Sequence, residues 1–107
     1  MSNSKVSDVS AEKAYKLINE NRNLIILDVR TQEEYAKGHI PGATLIPVQV
    51  LSSRIDELKE YQANPLLVYC ASGGRSPKAV NLLLAKGFTE IHHLDRGISC
   101  LRYELTR

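Results

Sequence analysis

The grouping best suited to chemistry in this chain is Cys70-Ala71-Ser72-Gly73-Gly74-Arg75-Ser76. Gly73 and Gly74 permit positive φ angles, which let backbone N–H groups converge on one point. Converging amides at the start of a helix form an anion-binding nest. A cysteine facing such a nest has a depressed pKa, because the thiolate gains more than the thiol. Arg75 adds a fixed charge able to hold an oxyanion in bidentate fashion. The pattern suits a thiolate that attacks an anionic substrate and keeps a negatively charged covalent product. The bland alternative is a small buried hydrophobe followed by an ordinary turn. Glycines, arginine and helix start in register favour the chemical reading.

Other reactive side chains carry weaker signals. Cys100 sits on the last helical pattern, either as a small packed side chain or as a resolving thiol for Cys70; a bridge requires Cα atoms within about 7 Å. Asp28, Arg30, Glu34 and His39 resemble an acid–base cluster, but ion pairs and turn hydrogen bonds that fix loops account for them as well. His92 and His93 alternate along a strand and face opposite sides, which makes a shared metal site unfavourable. No Cys/His spacing suggests zinc, so no metal or other cofactor is expected. Tyr69 either borders the pocket or packs in the core.

The elements that must hold the loop follow from apolar patterning. Leu24–Val29 and Leu66–Tyr69 are short continuous apolar runs, as in strands covered on both faces. Thr44–Ile46 and Ile91–Leu94 are shorter candidates. Between them, Ser10 caps a helix bearing Ala14, Leu17 and Ile18. Thr31 and Glu34 have capping-box spacing for a helix that stops at Gly38. Residues from about 50 to 61 place Leu51, Ile55 and Leu58 at helical spacing. Ser76 and Pro77 suit an N-cap and first turn, and Val80, Leu83 and Leu84 follow on one face until Gly87. A last helix begins near Gly97, with Ile98, Leu101 and Leu105 on one side. Strands alternating with helices imply an α/β fold, whose ligands bind beyond the carboxyl ends of parallel strands. Cys70 stands at such an end.

Composition narrows the function class. The chain has 107 residues, 43% hydrophobic and 24% charged, which fits one domain over 1–107 with an ordinary core. The net charge is only +2, no Lys/Arg run occurs, and the aromatics are one Phe and five Tyr, so nucleic-acid binding is not expected. No apolar run nears the roughly 20 residues that span a bilayer. The polar start Met1-Ser2-Asn3-Ser4-Lys5 lacks a signal-peptide core, so the expected location is cytoplasmic. A reducing cytosol also disfavours a disulfide between the two cysteines.

From about Leu24 to Leu105 the sequence resembles the single-domain rhodanese family. The landmarks are Leu27-Asp28-Val29-Arg30, Glu34-Tyr35, Gly38-His39-Ile40-Pro41-Gly42-Ala43, Val68-Tyr69 with the Cys70–Ser76 loop, and Gly87-Phe88. The resemblance implies a rhodanese-like α/β domain, with a central parallel sheet of about five strands and helices on both faces. It implies a sulfurtransferase with Cys70 as persulfide carrier and no cofactor. Sulfur comes from a small anionic donor such as thiosulfate and passes to cyanide or a thiol, the latter including a sulfur-accepting or thioredoxin-like protein. Amides from Ala71 through Ser76 hold the persulfide. Partners of nucleic-acid or membrane type are not implied.

Related phosphatases separate cysteine and arginine by five residues. Four separate Cys70 from Arg75. The shorter loop suits a sulfane sulfur better than a phosphoryl group, which disfavours a phosphatase or arsenate reductase. A sulfur-carrier or regulatory binding module stays open as an alternative. The chain departs from the family pattern at Ala71, where many thiosulfate-using relatives have a basic residue, and this counts against thiosulfate. Arg96-Gly97 replaces Gly-Gly, with Arg96 expected to restore charge near the pocket mouth, and Leu101 replaces Trp.

Overall fold

The apolar runs lie at the centre of a five-stranded parallel sheet. The computed structural model describes residues 5–100, with Cys100 by its backbone only, together with 105 and 106. The strands are β1 (Val6–Val9), β2 (Ile25–Asp28), β3 (Thr44–Leu45), β4 (Leu66–Tyr69) and β5 (Ile91–Leu94), in the spatial order β1-β5-β4-β2-β3. Leu27 is in register with Val68, and Val68 with His93. All four residues of β4 are buried, which explains its unbroken apolar run.

Strand alternation sends side chains to two cores. Leu27, Leu66, Val68, Cys70 and Ile91 pack with the helices α3 (Val48–Arg54) and α4 (Ser76–Ala85) on one face. Ile26, Leu67, Tyr69 and Leu94 pack with α1 (Ala11–Glu20) and with Ile40 and Ala43 on the other. The remaining helix, α2 (Gln32–Lys37), carries the capping box expected from Thr31 and Glu34. Ser10 caps α1 by accepting from the Lys13 amide at 3.2 Å.

Several expectations change. The helix expected from about 50 to 61 divides into α3 and a 3₁₀ stretch, Ile55–Tyr61. Ile55, Leu58 and Tyr61 recur every three residues, the period at which a 3₁₀ helix aligns its side chains; all three join the same core. Ile46 lies just outside β3, although its amide still donates to the Asp28 carbonyl at 3.0 Å. Of the last helix, the described residues show one 3₁₀ turn, Ile98–Cys100. Leu101 lies outside the described residues, and Leu105 is exposed and not helical. Beyond it, Thr106 pairs with His39 through two backbone hydrogen bonds of 2.8 and 2.9 Å. β1 has no counterpart in the apolar pattern, because this four-residue edge strand has two adjacent polar residues, Ser7 and Asp8, at its middle and pairs with β5 alone. Among the described residues, no helix is long and apolar enough to cross a membrane.

The order of strands sets the location of the site. The chain leaves β4 toward β5 on one side, while β2 leads to β3 on the other. Loops leaving neighbouring strands in opposite directions open a crevice at their carboxyl ends. The segment after β2 carries Arg30 and Glu34, and the segment after β4 carries Cys70 through Arg75.

Candidate functional site

Cys70 follows β4 directly and turns its side chain toward α4, fully buried. The Gly73 amide donates to its Sγ at 3.1 Å, and the Ser76 hydroxyl lies 3.4 Å away. Burial pushes the thiol up. Hydrogen bonds from the Ser76 hydroxyl and from the amides of Arg75, Ser76 and Gly73 outweigh it, leaving Cys70 below the ordinary thiol range. The N-terminus of the ten-residue α4 adds its positive dipole end at the same place. A charge-stabilising cradle around one sulfur results.

The loop keeps its shape by docking on the segment after β5. The Cys70 and Ala71 carbonyls accept from the amides of Ile98 and Ser99 at 2.8 and 3.0 Å. Gly73 has φ +93°, and a Cβ there would lie 2.0 Å from the Asp95 carbonyl oxygen. Gly97 has φ +68°, and a Cβ there would lie 2.6 Å from both the Cys70 and Ala71 carbonyls. Both positions therefore demand glycine for conformation and for space. Gly74 differs from the expectation: it takes no positive φ, and a Cβ there would meet nothing within 4 Å. Ala71 is half-buried and Ser72 exposed. A Gly73→Ala protein should lose at least about 1–2 kcal/mol in urea denaturation from the left-handed backbone alone. Its thiolate absorbance should move toward that of an ordinary thiol, since the Gly73 amide leaves the sulfur.

Two further site residues are placed differently from expectation. Ser76 is the first residue of α4 rather than its cap; Arg75 occupies the cap position in helical conformation with no side-chain cap bond. The Ser76 hydroxyl is instead directed at Cys70 and at His93 Nε2, 2.5 Å away. Arg75 does not lie open for an oxyanion. Its two terminal nitrogens donate to the two Glu34 oxygens at 2.7 and 2.8 Å. These bonds, helped by the Thr31 amide and hydroxyl, hold the Glu34 carboxyl down at about 2. Glu34 thus closes the capping box of α2 and clamps the end of the cysteine loop.

Asp28, Arg30 and His39 tie the end of β2 to the segment after α2. Arg30 Nε donates to Asp28 Oδ1 at 3.0 Å and its terminal nitrogen to Oδ2 at 2.8 Å, with a further bond of 2.7 Å to the Gly38 carbonyl. His39 stacks on Tyr35 with ring centroids 3.6 Å apart, and its Nδ1 is 2.8 Å from the Tyr35 carbonyl. Tyr69 belongs to the core: it is fully buried, and its hydroxyl accepts from the Ile40 amide at 3.2 Å. Burial first, then the Asp28 charge, pushes that hydroxyl above its ordinary range, so it stays protonated.

A cavity of about 490 Å³ opens beside this site and not over Cys70, lined by Asp8, Val9, Ser10, Ala11, Asp95 and Arg96. Arg96, expected near the pocket mouth, thus lines a depression with two carboxylates. Asp8, His93 and Asp95 bring donor atoms within 4.8 Å of one another. His93 Nδ1 is 3.0 Å from Asp8 Oδ1, so the group is read as the electrostatic setting of the imidazole. Motif reading missed Asp8 and His93. The signal was present in the pairing of Asp8 opposite His93, which needs β1 to be recognised as a strand.

Comparison with protein families matches the rhodanese-like domain over residues 10–101. A protein named sulfurtransferase from Allochromatium vinosum is 28% identical over 93 residues, covering 87% of this chain and 85% of its own. A putative sulfur carrier protein, YrkF of Bacillus subtilis, is 34% identical over 95 residues, covering 89% of this chain. The aligned region is 50% of that protein, so this chain spans half its length. Among solved structures, a rhodanese-like domain protein from Staphylococcus aureus superposes with a TM-score of 0.82 at 29% identity, covering 94% of this chain and 96% of that one.

Proposed function

The chain belongs to the rhodanese-like domain family, and from that premise we propose that it is a sulfurtransferase carrying sulfane sulfur as a persulfide on Cys70. The observation behind this reading is the set of donors directed at one sulfur: the amides of Gly73, Arg75 and Ser76 and the Ser76 hydroxyl. In the first half-reaction, the Cys70 thiolate attacks the outer sulfur of a donor. The Sγ–S bond forms as the donor's S–S bond breaks, and the donor remnant leaves with the bonding pair (sulfite, for thiosulfate). In the second, a cyanide or thiolate acceptor attacks the terminal sulfur and Cys70 leaves as thiolate. The cradle serves both halves by stabilising negative charge at one place. Ala71 through Ser76 form the proposed binding loop.

Arg75 and Ala71 bear on the donor. With the guanidinium bound to Glu34 and a methyl at position 71, the loop offers no unpaired side-chain cation to a sulfonate group. Thiosulfate is therefore a weak donor in this reading. A tetrahedral oxyanion also lacks its bidentate partner, which counts against phosphatase or arsenate-reductase chemistry. A carrier role is favoured by the same pairing: sulfur arrives as a persulfide or polysulfide and leaves to a thiol on a sulfur-accepting, thioredoxin-like protein. Such a carrier works where thiols stay reduced, and the cytoplasm is the proposed location.

Mass spectrometry of the intact protein and its peptides after sulfane-donor treatment tests the reading. The expected result is about 32 Da added at the Cys70 peptide and removed by cyanide or thiol. No addition with thiosulfate, polysulfide or a low-molecular-weight persulfide would sink it.

A further inference from the structure

A second line of contacts leads from the Cys70 sulfur to solvent through Ser76 and then through two groups that the motif does not include, His93 and Asp8. Sγ lies 3.4 Å from Ser76 Oγ, which lies 2.5 Å from His93 Nε2. His93 Nδ1 in turn lies 3.0 Å from Asp8 Oδ1. Ser76 is fully buried, and the His93 side chain is 7% exposed, whereas that of Asp8 is 67% exposed. We propose that His93 is the proton partner of Cys70, taking the thiol proton through the Ser76 hydroxyl to form a thiolate–imidazolium pair positioned by Asp8. The proposal rests on Cys70 as the working nucleophile, and its test does not require sulfur uptake.

Donor and acceptor chemistry restricts how the chain can be protonated. A carboxylate only accepts, so the Asp8 contact assigns a proton to His93 Nδ1. Nε2 is then the nitrogen free to gain or lose one. Ser76 has a single hydroxyl proton and faces a partner on each side. With neutral His93, Cys70 S–H donates to Ser76 Oγ, and Ser76 O–H donates to Nε2. With charged His93, Nε2–H donates to Ser76 Oγ, and Ser76 O–H donates to the thiolate. Passing between the two moves the thiol proton to Oγ and the original hydroxyl proton to Nε2. One proton is transferred in total; the two hydrogen bonds of Ser76 survive with their direction reversed, and the Nδ1–H bond to Asp8 keeps its own.

Carboxylates stand at one end of the relay and amides at the other. From β1, Asp8 faces the imidazole, and from the turn after β5, Asp95 brings a carboxylate into the same cluster. From α4, the near groups are Ser76 and, lining the same depression, Pro77, Val80 and Asn81, none of them charged. Arg96 lines the neighbouring depression with Asp8 and Asp95 and opposes them in part. On the thiolate side, the amides of Arg75, Ser76 and Gly73 stabilise the negative charge. His93 is a positioning residue here, acting on sulfur chemistry through Ser76.

The test reads thiolate absorbance near about 240 nm across a pH range, as the difference from a Cys70→Ser protein. The resting protein is used without donor, so absent persulfide formation would count against the sulfurtransferase reading alone. His93→Gln keeps hydrogen-bonding atoms but cannot take the proton. Its thiolate step is expected to rise by about one pH unit or more, leaving about tenfold less thiolate below the step. Asp8→Asn is expected to move the step in the same direction by less. An unchanged step in His93→Gln overturns the proposal. If that variant does not fold, Asp8→Asn, at an exposed position, decides by the same criterion.

Discussion

A protein with serine in place of Cys70 is expected to lose sulfur transfer by about 10⁴-fold or more with every donor, as for removal of a covalent nucleophile elsewhere. Turnover is measured with thiosulfate, polysulfide and a small persulfide, and residual transfer comparable to wild type with any of them contradicts the role given to Cys70. The loss comes from chemistry rather than folding. Serine is close in size to cysteine, and its oxygen accepts from the Gly73 amide that now serves Sγ at 3.1 Å. Urea denaturation should therefore stay near that of the parent. What serine lacks is a charged form at neutral pH and a sulfur–sulfur bond. The cradle lowers a thiol because its donors outweigh burial; a hydroxyl, far harder to ionise, stays neutral in the same setting.

The second large effect is on stability. Arg30→Met should cost about 3–5 kcal/mol in urea denaturation, the range for breaking a buried ion pair from one side. Asp28 is fully buried and Arg30 is 5% exposed. The guanidinium satisfies both carboxylate oxygens and the Gly38 carbonyl. Methionine fills similar volume but leaves a carboxylate in the core without its cation. Arg30→Lys should recover only part of the loss, because a single ammonium cannot reproduce the planar fork. A cost under about 1 kcal/mol for Arg30→Met, as for an exposed pair, would contradict the weight given to this contact.

Cys70, its glycines and the helix behind them stood out in the sequence because each leaves a local mark: an apolar run, a turn residue, a proline in the first helical turn. The α/β class followed from the same marks, and the rhodanese-like sheet of five parallel strands from the resemblance that the family motifs carry. What escaped was non-local. The partner of Arg75 is Glu34, 41 positions away, and no spacing rule reaches that far. Asp8 and His93 are 85 positions apart and meet only because β1 pairs with β5. β1 itself was missed because an edge strand needs no continuous apolar run. Ser76 was misread for a subtler reason. A serine before a proline and an apolar helix fits a cap by type, but its hydroxyl is taken up by the sulfur and the imidazole.

The pairing of Arg75 with Glu34 also shapes how a donor approaches. A lone guanidinium at the rim would cast a field over roughly a Debye length, about 8 Å in physiological salt, and draw anions from solution. Matched with a carboxylate at 2.7 Å, it contributes a local dipole in place of a net charge. The remaining attraction comes from amides and the first turn of α4, and it fades within a turn of helix. On the proposed sulfur-transfer reading, selection among donors is made at contact, by shape and leaving group, with little long-range steering beforehand. On that reading, a surface that does not draw small anions from a distance suits neutral or protein-bound donors that arrive by docking.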